Sequence, residues 1–169
     1  RDPPPVDRRQ RQMCIRDSYL QSQIISEELV KSHIKILSSD EMEGRKAGTA
    51  GIEKAAKYIE SEFEKMGLAK FSNNDSYRQN FKSQGLELFN IVGFLEGKSK
   101  AKEIVVISAH YDHLGINQKL QGDKIFNGAN DNASGVSGVL AIADYYSKKR
   151  TNERSLLFIA FTAEEMGLI

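Results

Sequence analysis

Apolar positions along this chain recur with two different periods, and the change of period divides it into elements. From residue 26 to about 39, Leu29, Val30, Ile34 and Leu37 share one face at helical spacing. Ser26 suits an N-cap, Glu27 and Glu28 suit the positive end of the dipole, and Ile25 can staple to Val30. A helix is predicted there, with His33 as a partly exposed residue on it. Residues 40–51 (DEMEGRKAGTAG) are polar and glycine-rich and read as a loop. A second helix is predicted from about 49 to 66, with Ile52, Ala55, Ala56, Ile59, Phe63 and Met66 on one face and Gly67 as its left-handed stop. A turn follows at 73–76.

Beyond it the period shortens. Strands are predicted at 77–82 and 88–95, and the unbroken apolar run Ile104, Val105, Val106, Ile107 predicts a central strand covered on both faces. Residues 111–130 have no period and contain Gly115, Gly122 and Gly128, which predicts a long loop; such loops in compact domains usually serve function. A helix from about 133 to 148 would bury Val136, Val139, Leu140 and Ala143. SLLFIAF at 155–161 predicts another buried strand, after which Thr162 is placed to open a helix. Strand, loop, helix, strand and helix start describe an α/β domain with parallel buried strands, whose ligands bind at the strands' C-terminal ends.

Composition changes this picture mainly at the N-terminus. Residues 1–18 hold all three prolines, the only cysteine, five arginines and three aspartates. They lack apolar periodicity, and RQMCIRDS resembles translated sequencing-adapter read-through, so 1–18 is expected to be a non-native or disordered leader. Residues 19–169 then carry no cysteine and are close to neutral, which excludes disulfides and a thiolate metal site. No basic stripe suggests nucleic acid, and no apolar run approaches the roughly 20 residues that span a bilayer. The C-terminus ends at MGLI without a stop signal, so both ends read as cut.

Three segments carry candidate chemistry. SAHYDH at 108–113 holds two of the three histidines at the end of the most hydrophobic strand. Zinc favours neutral imidazole, and a ligating histidine usually gives its other N–H to a carboxylate; on extended backbone Asp112 falls on the same side as His110. A polar loop after a strand is the plainer alternative. NGANDNASG at 127–135 reads plainly as a turn, with Asp131 or Asn132 capping the next helix, or else as a loop whose Asp131 bridges two metal ions. TAEEMG at 162–167 reads plainly as a Thr-x-x-Glu capping box. Adjacent carboxylates after a buried strand also suit hydrolysis, one binding metal and its neighbour accepting a proton from water.

In order and spacing, SAHYDH, GANDNASG and FTAEEMGLI resemble the three upstream motifs of the clan MH zinc aminopeptidases, a group that includes bacterial leucyl aminopeptidases and relatives of aminopeptidase Y. LSSDEMEGRKAGTAGIEKAAKYIESEFEKMGL resembles the region leading into their catalytic domain. The resemblance covers nearly everything from about residue 26. It implies a three-layer α/β zinc-exopeptidase fold, with a central mixed, largely parallel sheet flanked by helices and truncated at the C-terminus; residues 19–169 would be the N-terminal part of the catalytic domain. It implies two zinc ions: His110 on one with Asp112 behind it, Asp131 bridging both, Glu165 on the other and Glu164 as general base. It also implies a cis peptide at Asp131-Asn132, peptide or protein N-termini as substrate, and a periplasmic or secreted location.

His113 has no role in that pattern. One further ligand for each zinc, an aspartate and a histidine, belongs downstream of the glutamate pair, so the segment is expected to bind zinc weakly and hydrolyse little. Receptor-like binding domains, glutaminyl cyclases and carboxypeptidases share the scaffold and are the alternatives. Oligomeric state is not legible.

Overall fold

The structure, a computed structural model, describes residues 25–167. The leader expected at 1–18 lies outside the described residues. The first helix, α1 (Glu27–Leu37), begins as its sequence demands: the Ser26 side chain accepts the Leu29 N–H at 3.3 Å. Leu37 is buried and Leu29, Val30 and Ile34 are half-buried. His33 corrects the expectation of partial exposure. It is 2% exposed, with Nδ1 2.6 Å from the Tyr58 hydroxyl. It stands four residues after Leu29 and four before Leu37, inside the apolar stripe rather than beside it.

Residues 40–51 are tighter than a plain loop. Asp40–Arg45 forms two short 3-10 turns across a kink, with Glu43, Gly44 and Arg45 in the left-handed region. Helix α2 (Ala50–Lys65) then buries Ile52, Ala55, Ala56, Ile59 and Phe63 and stops at Gly67, φ 66°. Helix α3 (Ser134–Lys149) buries Val136, Val139, Leu140 and Ala143, as its spacing predicts. It contacts α1, α2 and the strands β4 and β7 of the sheet.

The main sheet contains β1 (Ala69–Lys70), β2 (Arg78–Ser83), β3 (Leu86–Leu95), β4 (Lys100–His110) and β7 (Arg154–Phe161), with β1 and β2 both pairing with β3 in the order β3, β7, β4. A two-residue turn joins β2 to β3 and forces them antiparallel. β3 is antiparallel to β1 and β7 as well; among the described residues only β4 and β7, joined through α3, are parallel. The sheet is mixed and helix-covered as expected. Among the described residues it is not largely parallel, because only one of its connections carries a crossover helix.

A second correction concerns β4. The central strand is β7, buried from Ser155 to Phe158, whereas β4 pairs with β7 alone among the described residues. Ile104, Val105 and Val106 are 49%, 42% and 53% exposed. Their apolar run carries the signature of a covered strand, but nothing described covers its outer edge. Ser155 ties the entry of this pair: its buried hydroxyl donates to the Ala101 carbonyl at 2.7 Å and accepts the Gly97 N–H at 3.0 Å. The parallel register sets His110 opposite Phe161, so both strands finish at one rim. In the loop beyond β4, β5 (Gly115–Ile116) and β6 (Ile125–Phe126) form a small ribbon. Among the described residues no helix is long and apolar enough to cross a membrane.

Candidate metal centre

The site grows from the shared rim of β4 and β7. After His110, the Tyr111 N–H donates to the Phe161 carbonyl at 2.8 Å, carrying the pairing one step further. Asp112 is then fully buried. Its two carboxylate oxygens accept the main-chain N–H groups of Glu164 and Glu165, each at 3.2 Å. Its Oδ1 lies 3.6 Å from His110 Nδ1, slightly farther than its own main-chain carbonyl at 3.3 Å. Burial pushes the Asp112 carboxyl above the ordinary carboxylate range; the two N–H groups and His110 act against that shift.

Asp131 arrives from the other side. Gly128 adopts φ 58°, and the peptide between Asp131 and Asn132 is cis, as the resemblance implies. Asn132 takes the plainer role, its Oδ1 accepting the Gly135 N–H at 2.9 Å in the first turn of α3. The Asp131 side chain is thereby left 61% exposed and turned to the rim, with Oδ1 3.1 Å from His110 Nε2 and Oδ2 3.9 Å from His113 Nδ1. Glu165 Oε1 lies 2.6 Å from the same His113 Nδ1. The plainer alternative at Thr162, a capping box, does not form: Ala163, at φ 65°, precedes the Glu164–Met166 turn, and no side chain caps it. Glu164 joins His110, Asn132, Phe161 and Thr162 around an adjoining cavity of about 410 Å³.

Two residues of this centre escaped the sequence reading. His113 was visible as a second histidine three places after His110, but its partner Glu165 is 52 residues away. Arg45 had only the signal of one of two adjacent cations, Arg45 and Lys46, in a polar, glycine-rich loop. It is 1% exposed and donates to the carbonyls of Tyr111 (2.9 Å), Leu37, Asn127 (2.7 Å) and Gly128 (3.0 Å). One guanidinium thus ties the end of α1 to the segment that follows His110 and to the loop that precedes Asp131. Burial pulls its pKa down to about 10, while the charges of Asp112 and Asp131 oppose the shift.

The donor set suits a borderline metal ion. Zinc takes imidazole and carboxylate ligands at about 2.0–2.2 Å, which requires donor atoms a few ångströms apart. His113, Asp131 and Glu165 each offer an atom within 4.8 Å of the others, and His110 adds an imidazole nitrogen at the second Asp131 oxygen. The residues fit the group that the resemblance implies.

Comparison with known proteins agrees. The family model for Peptidase family M28 matches residues 90–169. Aminopeptidase YwaD of Bacillus subtilis is 38% identical over 81 residues, covering 47% of this chain; the chain spans 16% of that relative. LapB from Legionella pneumophila superposes with a TM-score of 0.65 at 26% identity, over 85% of this chain and 36% of its own. Porphyromonas gingivalis glutaminyl cyclase gives a TM-score of 0.65 at 18% identity, over 82% of this chain and 48% of its own, a likeness of fold alone. Motifs, fold and matches coincide on the segment that carries the cluster: over residues 90–169 this chain is similar to Peptidase family M28.

Proposed function

We propose that the chain supplies part of a co-catalytic two-zinc centre of a metallo-exopeptidase that hydrolyses N-terminal peptide bonds. The observation that carries this reading is the meeting of His110, Asp131 and Glu165 at the rim of a parallel strand pair. His110 would hold the first ion, Glu165 the second, and Asp131 one oxygen to each. Bound zinc supplies polarisation of the scissile carbonyl and acidification of water. Glu164, beside His110 at the adjoining cavity, takes a proton from the attacking water and returns one to the leaving amine. Asp112 orders this arrangement from beneath, since its carboxylate grips the amides of both glutamates and faces His110 Nδ1. Peptide or protein N-termini are the proposed substrates, and export to the periplasm or exterior is proposed by family resemblance.

Catalytic zinc normally has three protein ligands and water. Under these assignments each ion has two from this chain. Dialysed chain should therefore retain well under two zincs and release little amine from aminoacyl substrates; near-stoichiometric retention of two would contradict that count. Where a form of the protein supplies the third ligands, Glu164→Gln should abolish release of amine while leaving zinc content unchanged. Unaltered turnover would remove Glu164 as base. Parallel assays on free and blocked N-termini separate aminopeptidase action from cyclase or carboxypeptidase action.

A further inference from the structure

His113 offers a donor atom beside Asp131 and Glu165 but has no part in the ligand assignments of the proposed function, and its ring is firmly held at the rim. It is 9% exposed, and its main-chain N–H donates to the Arg45 carbonyl at 3.1 Å. Its ring meets Phe126 edge-on, with centroids 6.5 Å apart and planes at 79°. Gly128 packs against it so closely that a Cβ there would lie 2.5 Å from its Cδ2. Seated in this slot, the ring sets Nδ1 2.6 Å from Glu165 Oε1 and 3.9 Å from Asp131 Oδ2. The shorter distance is that of a strong hydrogen bond to a carboxylate.

We propose that His113 is a positioning residue for the metal centre: its Nδ1–H holds one oxygen of Glu165 and so leaves the other oxygen turned to the second ion. The proposal rests on the reading of Glu165 as a zinc ligand and adds a residue which that reading lacks. A free glutamate carboxylate samples several rotamers, and ordering it on binding opposes affinity. A hydrogen bond from a buried, packed ring orders it beforehand. Outer partners of this kind typically contribute about 10–100-fold to metal affinity.

The test is calorimetric titration of the 169-residue chain with zinc, extended to millimolar metal, with thermal melts in chelator to confirm that each variant is folded. His113→Leu should weaken binding about 10–100-fold. His113→Asn, whose amide N–H falls near the position of Nδ1, should restore affinity to within about threefold of the parent chain. In a Glu165→Ala background, His113→Leu should add nothing, because the residue it positions is gone. The proposal is overturned if Glu165→Ala weakens binding and His113→Leu does not. It is equally overturned if His113→Asn is as weak as His113→Leu and the losses add in the double variant, since His113 would then bind metal itself. Unchanged binding in Glu165→Ala would instead remove Glu165 as ligand, and with it the reading on which the proposal stands.

Discussion

Gly128 is the point where the demands of the centre on a single residue are greatest. Its φ of 58° lies in the left-handed region, and a Cβ would come within 2.3 Å of the Asp131 carbonyl, 2.5 Å of the His113 ring and 2.7 Å of the Arg45 guanidinium. The left-handed backbone alone disfavours alanine by about 1–2 kcal/mol, and contact with main chain leaves little room for relief. Gly128→Ala should therefore lower unfolding free energy by at least about 2 kcal/mol in denaturant titrations. Zinc affinity should fall with it, because all three displaced groups adjoin the ligands. Retention of both would show that the loop can re-form around a methyl group. The glycine was legible from sequence as one of three that mark residues 111–130 as a loop. Arg45, against which it packs, was not, since a buried cation satisfied only by carbonyls of distant segments leaves no local pattern.

Between elements, the junction of α1 and α2 depends on a buried imidazole. His33 Nδ1 meets the Tyr58 hydroxyl, while Nε2 is buried without a partner among the described residues. Burial holds its pKa below the ordinary value, with Glu62 and Asp144 drawing it up and Lys65 adding to the fall. In the unfolded chain the ring takes a proton below about 6.5; in the fold it resists until lower pH. The unfolded state therefore binds more protons in that window. This contribution to stability is complete above about pH 6.5 and declines as pH falls through it. Unfolding free energy measured from about pH 7.5 to 5.5 should drop more steeply in the parent chain than in His33→Gln, and equal slopes would refute the assignment. Helix positions were readable because apolar spacing and capping are local: α2, α3 and the Ser26 cap fall where their residues indicate. The orientation of His33 was misread because a polar side chain inside an apolar stripe was assumed to turn outward. The pairing of His113 with Glu165 was beyond reach, since it depends on how β4 and β7 come together.

At the scale of the molecule, the outer edge of β4 is the feature most out of keeping with a self-contained surface. Edge strands in soluble proteins are usually short, charged or covered, and a long apolar one invites pairing. In sedimentation velocity the chain should self-associate at micromolar concentration, and Val106→Lys should weaken that association by on the order of tenfold. A parent chain that stays monomeric at high concentration would sink the idea. Here the sequence reading failed for a physical reason: an unbroken apolar run reports that a strand is meant to be covered, not what covers it. The parallel partnership of β4 with β7 has a further consequence. His110 and the Glu164–Glu165 pair emerge where the two strands end, but the strands are tied where they begin, at the Ser155 hydroxyl, some six residues or roughly 20 Å away. The register shifts between Lys100 and Ile104, so Ser155 spans an irregularity, and the uniform pairing that reaches the rim starts at Ile104 opposite Ser155. Because side chains alternate, a slip of one step in that pairing would turn the imidazole of residue 110 to the opposite side of the sheet. The fidelity of the rim thus starts at the far end, where a serine that never approaches it bridges the irregularity.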